Sequence, residues 1–132
     1  NSILGIYDRS NELMNKLAKE IVMFNDETIE RVKREAELAA NEAQSHYLDT
    51  IGEDAYCGFG WVTVMVTRTN SKEAKALEKM GFKKSWQRRK MDNWSPGNYR
   101  GQSMSVREVG ATAYARVLSD YGFKAYSESR AD

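Results

Sequence analysis

The sequence is poor in the residues that staple or punctuate small folds. Of its 132 residues one is cysteine (Cys57), one is histidine (His46) and one is proline (Pro96). A lone cysteine excludes an internal disulfide framework and suits a reducing compartment. With one histidine and one cysteine, a zinc site of the usual ligand types cannot be assembled within one chain. No apolar run approaches the ~18 residues of a membrane-spanning helix. No basic segment followed by an apolar one opens the chain, so no signal peptide is expected. The sequence begins at Asn1 rather than Met, which suggests trimming or processing. What is present is globular in composition, 41% hydrophobic and 30% charged, and long enough for one domain with a real core.

The formal net charge of +1 hides two opposite halves. Residues 1–55 carry 12 acidic and six basic side chains, a net of −6, whereas residues 56–132 carry seven acidic and 14 basic, a net of +7. The style changes at the same place. Tryptophan is missing from the first part, which has only Gly5 and Gly52; Trp61, Trp86, Trp94 and the other glycines all follow. The chain therefore reads as an acidic helical segment (1–55) and a basic sheet domain (56–132), together one compact domain. Such asymmetry also arises when two parts of a chain do different jobs.

In the acidic part, Asp8 or Ser10 caps a helix whose apolar stripe is Leu13, Leu17, Ile21 and Phe24. Asn25-Asp26-Glu27-Thr28 starts a second helix, with an Asn or Asp cap and acids in the first turn. Its stripe runs Ile29, Val32, Ala36, Ala39, Ala43 and Tyr47 until Gly52 ends it. Lined with alanine, the stripe suits close docking on its own domain, or a homodimer through the N-terminal helices. His46 beside it reads as a surface or packing residue.

The basic part alternates. Tyr56 to Thr67 is a strand, with Phe59, Trp61, Thr63 and Met65 on one face and Gly58, Gly60, Val62, Val64 and Val66 on the other. Ser71 caps a short helix stopped by Gly81. Phe82 to Trp94 reads as a second strand, and Ser95-Pro96-Gly97-Asn98 as a turn. Gln102 to Val106 suits a short strand. Val109, Ala113, Val117 and Leu118 make a helix ending at Tyr121-Gly122, and Phe123 to Ser129 a last strand. The expected fold is α+β: N-terminal helices, then a three- or four-stranded sheet in β-α-β-(β)-α-β order, a ferredoxin-like layout.

The most distinctive stretch is residues 83–100. Lys83, Lys84, Arg88, Arg89, Lys90 and Arg100 stand there against one acid, Asp92, with Trp86, Trp94 and Tyr99 interleaved. Mobile or forked cations suit phosphates and flat apolar rings suit unstacked bases, so these nine residues are the candidate nucleic-acid contacts. Two other readings use the same residues: contact with an acidic protein surface, and an edge strand kept soluble by its lysines and arginines.

Cys57-Gly58-Phe59-Gly60-Trp61-Val62-Thr63-Val64 is similar to the aromatic strand of RNA-recognition motifs. It departs from that pattern in having Cys57 for the basic residue and Val64 for the last aromatic, and in coming first rather than third in the strand order. Enzymatic signatures are scarce, with no P-loop, dinucleotide fingerprint or GxSxG elbow. A Cys57–His46 nucleophile and base is conceivable, but Cys57 at a strand start reads as a small buried hydrophobe. Glu53 and Asp54, joined by Asp92 or Glu108, are the carboxylates that a metal-dependent hydrolase or nuclease would use. The preferred reading is non-enzymatic, with no cofactor and no metal.

Cys57-Gly58-Phe59-Gly60-Trp61-Val62, Trp94-Ser95-Pro96, Gly101-Gln102-Ser103, Gly110-Ala111 and the ending Gly122-Phe123-Lys124-Ala125-Tyr126 to Ser129-Arg130-Ala131-Asp132 resemble uncharacterised small accessory proteins of tailed bacteriophages. The resemblance covers about residues 55–132. It implies a viral accessory protein made in a bacterial cytoplasm, acting by binding, and it carries over no catalytic residue. The partner expected on this basis is nucleic acid; the alternative is a host or phage protein that this chain inhibits or helps assemble.

Overall fold

The computed structural model describes residues 11–14 and 25–132. The expected first helix, with its stripe Leu13, Leu17, Ile21 and Phe24, lies mostly outside the described residues; Asn11–Met14 are helical. Helix α1 spans Asp26–Thr50, and the Asn25 side chain caps it by accepting from the Thr28 N–H at 3.2 Å. Its buried stripe is Ile29, Val32, Ala36, Ala40 and Gln44, so it drifts from the expected one after Ala36, leaving Ala39 and Ala43 half-buried. The steps of four carry the stripe along the face that docks on a later helix.

Strand β1 (Gly58–Met65) follows, then helix α2 (Lys72–Lys79) with Ser71 as its cap. The expected long strand from Phe82 to Trp94 is instead a hairpin, β2 (Lys83–Lys84) and β3 (Lys90–Asn93). The chain reverses because the Ser85 hydroxyl accepts from the Gln87 N–H at 3.2 Å and Arg89 adopts a left-handed φ of 61°. The expected strand at Gln102 to Val106 does not form. Ser103 bridges only Cys57 and then caps helix α3 (Met104–Asp120), its side chain accepting from the Val106 N–H. Strand β4 (Lys124–Ala131) closes the sheet.

The fold is α+β, in the order α-β-α-β-β-α-β. From β1 onward this is the ferredoxin-like arrangement, and its fourth strand comes from the hairpin rather than from Gln102. The sheet is antiparallel throughout, ordered β2-β3-β1-β4, so β1 and β3 are central. Register pairs Thr63 with Asp92 on one side and Tyr126 on the other, and Trp61 with Glu128.

Both long helices lie on one side of the molecule. Val62, Val64 and Met91 bury their side chains in one core cluster with Ile29, Val32, Ala36, Ala40, Ala111, Tyr114, Ala115 and Leu118 of the helices. Leu77 and Met80, in and just after α2, complete it with Phe82 and Phe123. Ala36 and Ala40 of α1 are buried in this core, whereas Ala39, Ala43 and Tyr47 of the expected stripe are only half-buried. Gly60 lets α3 approach β1: a Cβ there would sit 2.8 Å from the Arg107 carbonyl carbon. Gly110 does the same for α1, leaving room for the buried Gln44 amide.

Candidate nucleic-acid interface

Strand alternation sends every second residue of the sheet away from the helices. On that side β1 presents Phe59, Trp61, Thr63 and Met65, β3 presents Lys90 and Asp92, and β4 presents Tyr126, Glu128 and Arg130. Neither α1 nor α3 covers this face. Trp94, one residue beyond β3, folds onto it and stacks on Trp61, the ring centroids 4.1 Å apart and the planes 18° from parallel. Phe59 meets Trp94 edge-on at 6.0 Å. Trp86 projects from the hairpin, 88% exposed, and Trp94 is 46% exposed. Trp61, Trp86 and Trp94 line a cleft of about 520 Å³ together with Asp92, Glu128 and Arg130.

Cations border the rings. The guanidinium groups of Arg107 and Arg130 lie 5.4 and 5.7 Å from the Phe59 centroid, and the Lys90 ammonium 5.5 Å from that of Tyr126. Tyr126 foremost, and the Glu128 and Asp92 carboxylates beyond it, hold the Lys90 ammonium above its usual range against some desolvation. Arg107 is fixed from the helix side, donating Nη1 to the Gly58 carbonyl at 2.8 Å and Nε to the Gly101 carbonyl at 3.1 Å. At the Met65 end of β1, where Val66 N–H donates to the Arg89 carbonyl, Arg68, Arg88 and Arg89 line a recess with Thr67, Thr69 and Asn70.

The loop after β3 sets where Trp94 sits. Ser95 N–H donates to Asn93 Oδ1 at 3.0 Å, Asn98 N–H to Asn41 Oδ1 at 2.7 Å, and the Tyr99 hydroxyl to Glu53 Oε1 at 2.6 Å. Tyr99 in turn accepts from the Ser103 N–H. Asp54 accepts from the hydroxyls of Ser103 and Ser105, which hold its carboxyl below the ordinary aspartate value, Ser103 most. Glu53 and Asp54 therefore serve as struts for this loop and for the start of α3. Asp92 lies on the sheet and accepts from Thr63, and no group of three or more metal-ligating side chains occurs among the described residues.

The nine sequence-predicted contacts separate accordingly. Trp86 and Trp94 share the aromatic cleft, and Lys83 and Lys90 occupy the open face in register with Asp92 and Met65. Arg88 and Arg89 sit at the hairpin tip beside Arg68. Lys84 pairs with buried Met91 and so belongs to the helix side of the sheet edge. Tyr99 is occupied by Glu53, and Arg100 lines a second recess of about 290 Å³ with Gln44, Pro96 and Arg107. The expectation of a buried Cys57 is corrected: the thiol is exposed, near Gln102 Oε1 at 3.5 Å, because β1 begins only at Gly58. No hydrogen bond joins it to His46, which is exposed on α1.

The residue missed by composition alone is Trp61, the centre of the ring cluster; Arg107 and Arg130 were missed with it. The alternation Phe59-Trp61-Thr63-Met65 was the available signal for Trp61. Nothing local marked the arginines, which arrive from α3 and β4. Compared with protein-family models, with curated proteins and with solved structures, the chain finds no match. The case for function rests on this face. Among the described residues, no helix is long and apolar enough to cross a membrane.

Proposed function

We propose that this chain is a non-enzymatic, phage-type accessory protein of the bacterial cytoplasm that binds single-stranded nucleic acid along the open face of its sheet. The stacked Trp61–Trp94 pair, with Trp94 46% exposed, on a sheet face that no long helix among the described residues covers is the observation that carries this reading. Bases gain about 1–3 kcal/mol each by stacking on such rings, whatever their identity. Lys83, Lys90 and Arg130 stand among the rings, with Arg88 and Arg89 at one end of β1 and Arg107 at the other. A backbone laid along β1 would therefore meet cations at both ends and rings between. Base stacking and charge neutralisation are both largely indifferent to sequence.

The test is titration of a labelled single-stranded oligonucleotide at several salt concentrations. With about five phosphates neutralised, log K falls against log salt with a slope of about −3.5. Absence of binding at low salt, or a flat salt response, rejects the reading. A protein partner retained from bacterial lysate after nuclease treatment, with no oligonucleotide binding, would support an inhibitor or assembly factor instead.

A further inference from the structure

Two carboxylates sit among the rings of this otherwise basic half. Asp92 is only 7% exposed, and Thr63 donates to its Oδ1 at 2.9 Å. Glu128, across from Trp61 in register, places Oε2 3.5 Å from the same hydroxyl. Neither has an ion-pair partner within 4.0 Å among the described residues. Each side chain offers about four acceptor positions when ionised, and one threonine hydroxyl cannot fill them. Both line the cleft whose other walls are Trp61, Trp86 and Trp94. A bare phosphate is repelled by such a pair. A flat ring carrying hydrogen-bond donors on its edge fits both the indoles and the acceptors.

Building on the proposed function, we infer that this cleft takes one base of the bound strand and selects bases with an exocyclic amino group, Glu128 and Asp92 accepting from it. Cytosine presents an N4 amino group that a carboxylate reads directly. Thymine and uracil present a single imide N–H between two carbonyl oxygens, and those oxygens face the carboxylates unfavourably. Stacking on the indoles serves both pyrimidines alike, so the discrimination rests on the carboxylates. Elsewhere along the sheet the strand is held without regard to sequence.

The experiment compares short labelled oligo-dC and oligo-dT strands at pH 8 and constant low salt, with wild type, Glu128→Gln and Asp92→Asn. Wild type should bind oligo-dC about tenfold more tightly than oligo-dT. Glu128→Gln, a change at a half-buried position on an edge strand, should remove most of that preference, with oligo-dT binding tightened because the charge facing the thymine carbonyl oxygens is gone. Asp92→Asn should act in the same direction if its thermal melt matches wild type; Glu128→Gln decides the matter if it does not. Equal binding of the two strands by wild type, or an undiminished preference in Glu128→Gln, overturns this inference and leaves the proposed function standing. Failure of both strands to bind removes the two together. Saturable binding of tetramethylammonium that neither strand displaces would make the cleft a cation box and also overturn it.

Discussion

The two sides of the sheet are built from the same strands and differ in almost every property. Toward the helices β1 shows Gly58, Gly60, Val62 and Val64, small or β-branched and buried; away from them it shows Phe59, Trp61, Thr63 and Met65. The inner side is shaped by approach. α3 comes so near that a methyl group at Gly60 would strike its backbone, and α1 so near that Gln44 fills the space over Gly110. On the outer side bulk is tolerated because neither α1 nor α3 presses on it, and three indoles, two carboxylates and several cations gather there. An antiparallel sheet with one covered face need not carry rings on the other. That it does is the main pointer to function, and the comparison can be broken by substituting each side in turn.

The largest loss of stability is expected from Leu77→Ala, which empties a fully buried position and should cost about 3 kcal/mol in denaturant unfolding without a direct effect on the open face. Next is Gly60→Ala, whose methyl group must push the start of α3 off β1; about 2 kcal/mol is expected, with a lower thermal midpoint. Trp61→Ala should reverse the pattern. Stability should fall by only about 1–2 kcal/mol, because Trp61 is half-buried and stacked on Trp94 rather than in the core, while oligonucleotide binding weakens by about 1–3 kcal/mol. If Trp61→Ala unfolds the protein as readily as Leu77→Ala does, the two faces are not divided in labour and the outer rings are a second core.

The smallest effect concerns the strut beneath the loop. The Ser103 and Ser105 hydroxyls lower the Asp54 carboxyl from its ordinary value of 3.8, so its stabilisation is present above that value and is lost as pH falls through the lower, folded one. The stability difference between wild type and Asp54→Asn should therefore stay level from neutral pH down to about pH 5 and shrink below about pH 4. A difference that grows on acidification would show that these hydroxyls do not hold the charged form.

Much of this architecture could be read from local chemistry. Asn25 and Ser71 cap helices as their side chains suggest, and the helices stop near Gly52, Gly81 and Gly122, all at positive φ. Those signals are local, and local sequence carries them. The hairpin inside residues 82–94 was hidden because its turn contains neither Gly nor Pro; it relies on a serine hydroxyl and on Arg89 in a conformation that arginine rarely adopts. The start of α3 was hidden because Ser103 serves as cap, as bridge to Cys57 and as donor to Asp54 at once, and only the last two are long-range. At the site, the run from Lys83 to Arg100 pointed to Trp86 and Trp94 and to cations near them. It could not point to Trp61, Glu128 or Arg130, which strand pairing brings in from distant positions.

The Trp61–Trp94 pair has a spectroscopic consequence. Two indoles so close and so nearly parallel share their excited states, and the coupling should appear as a paired positive and negative band in circular dichroism. Replacing either ring should collapse that doublet to the signal of an isolated chromophore. A guest that slides against the pair or parts it would change the doublet in proportion to occupancy, so the molecule supplies an optical gauge of its own loading.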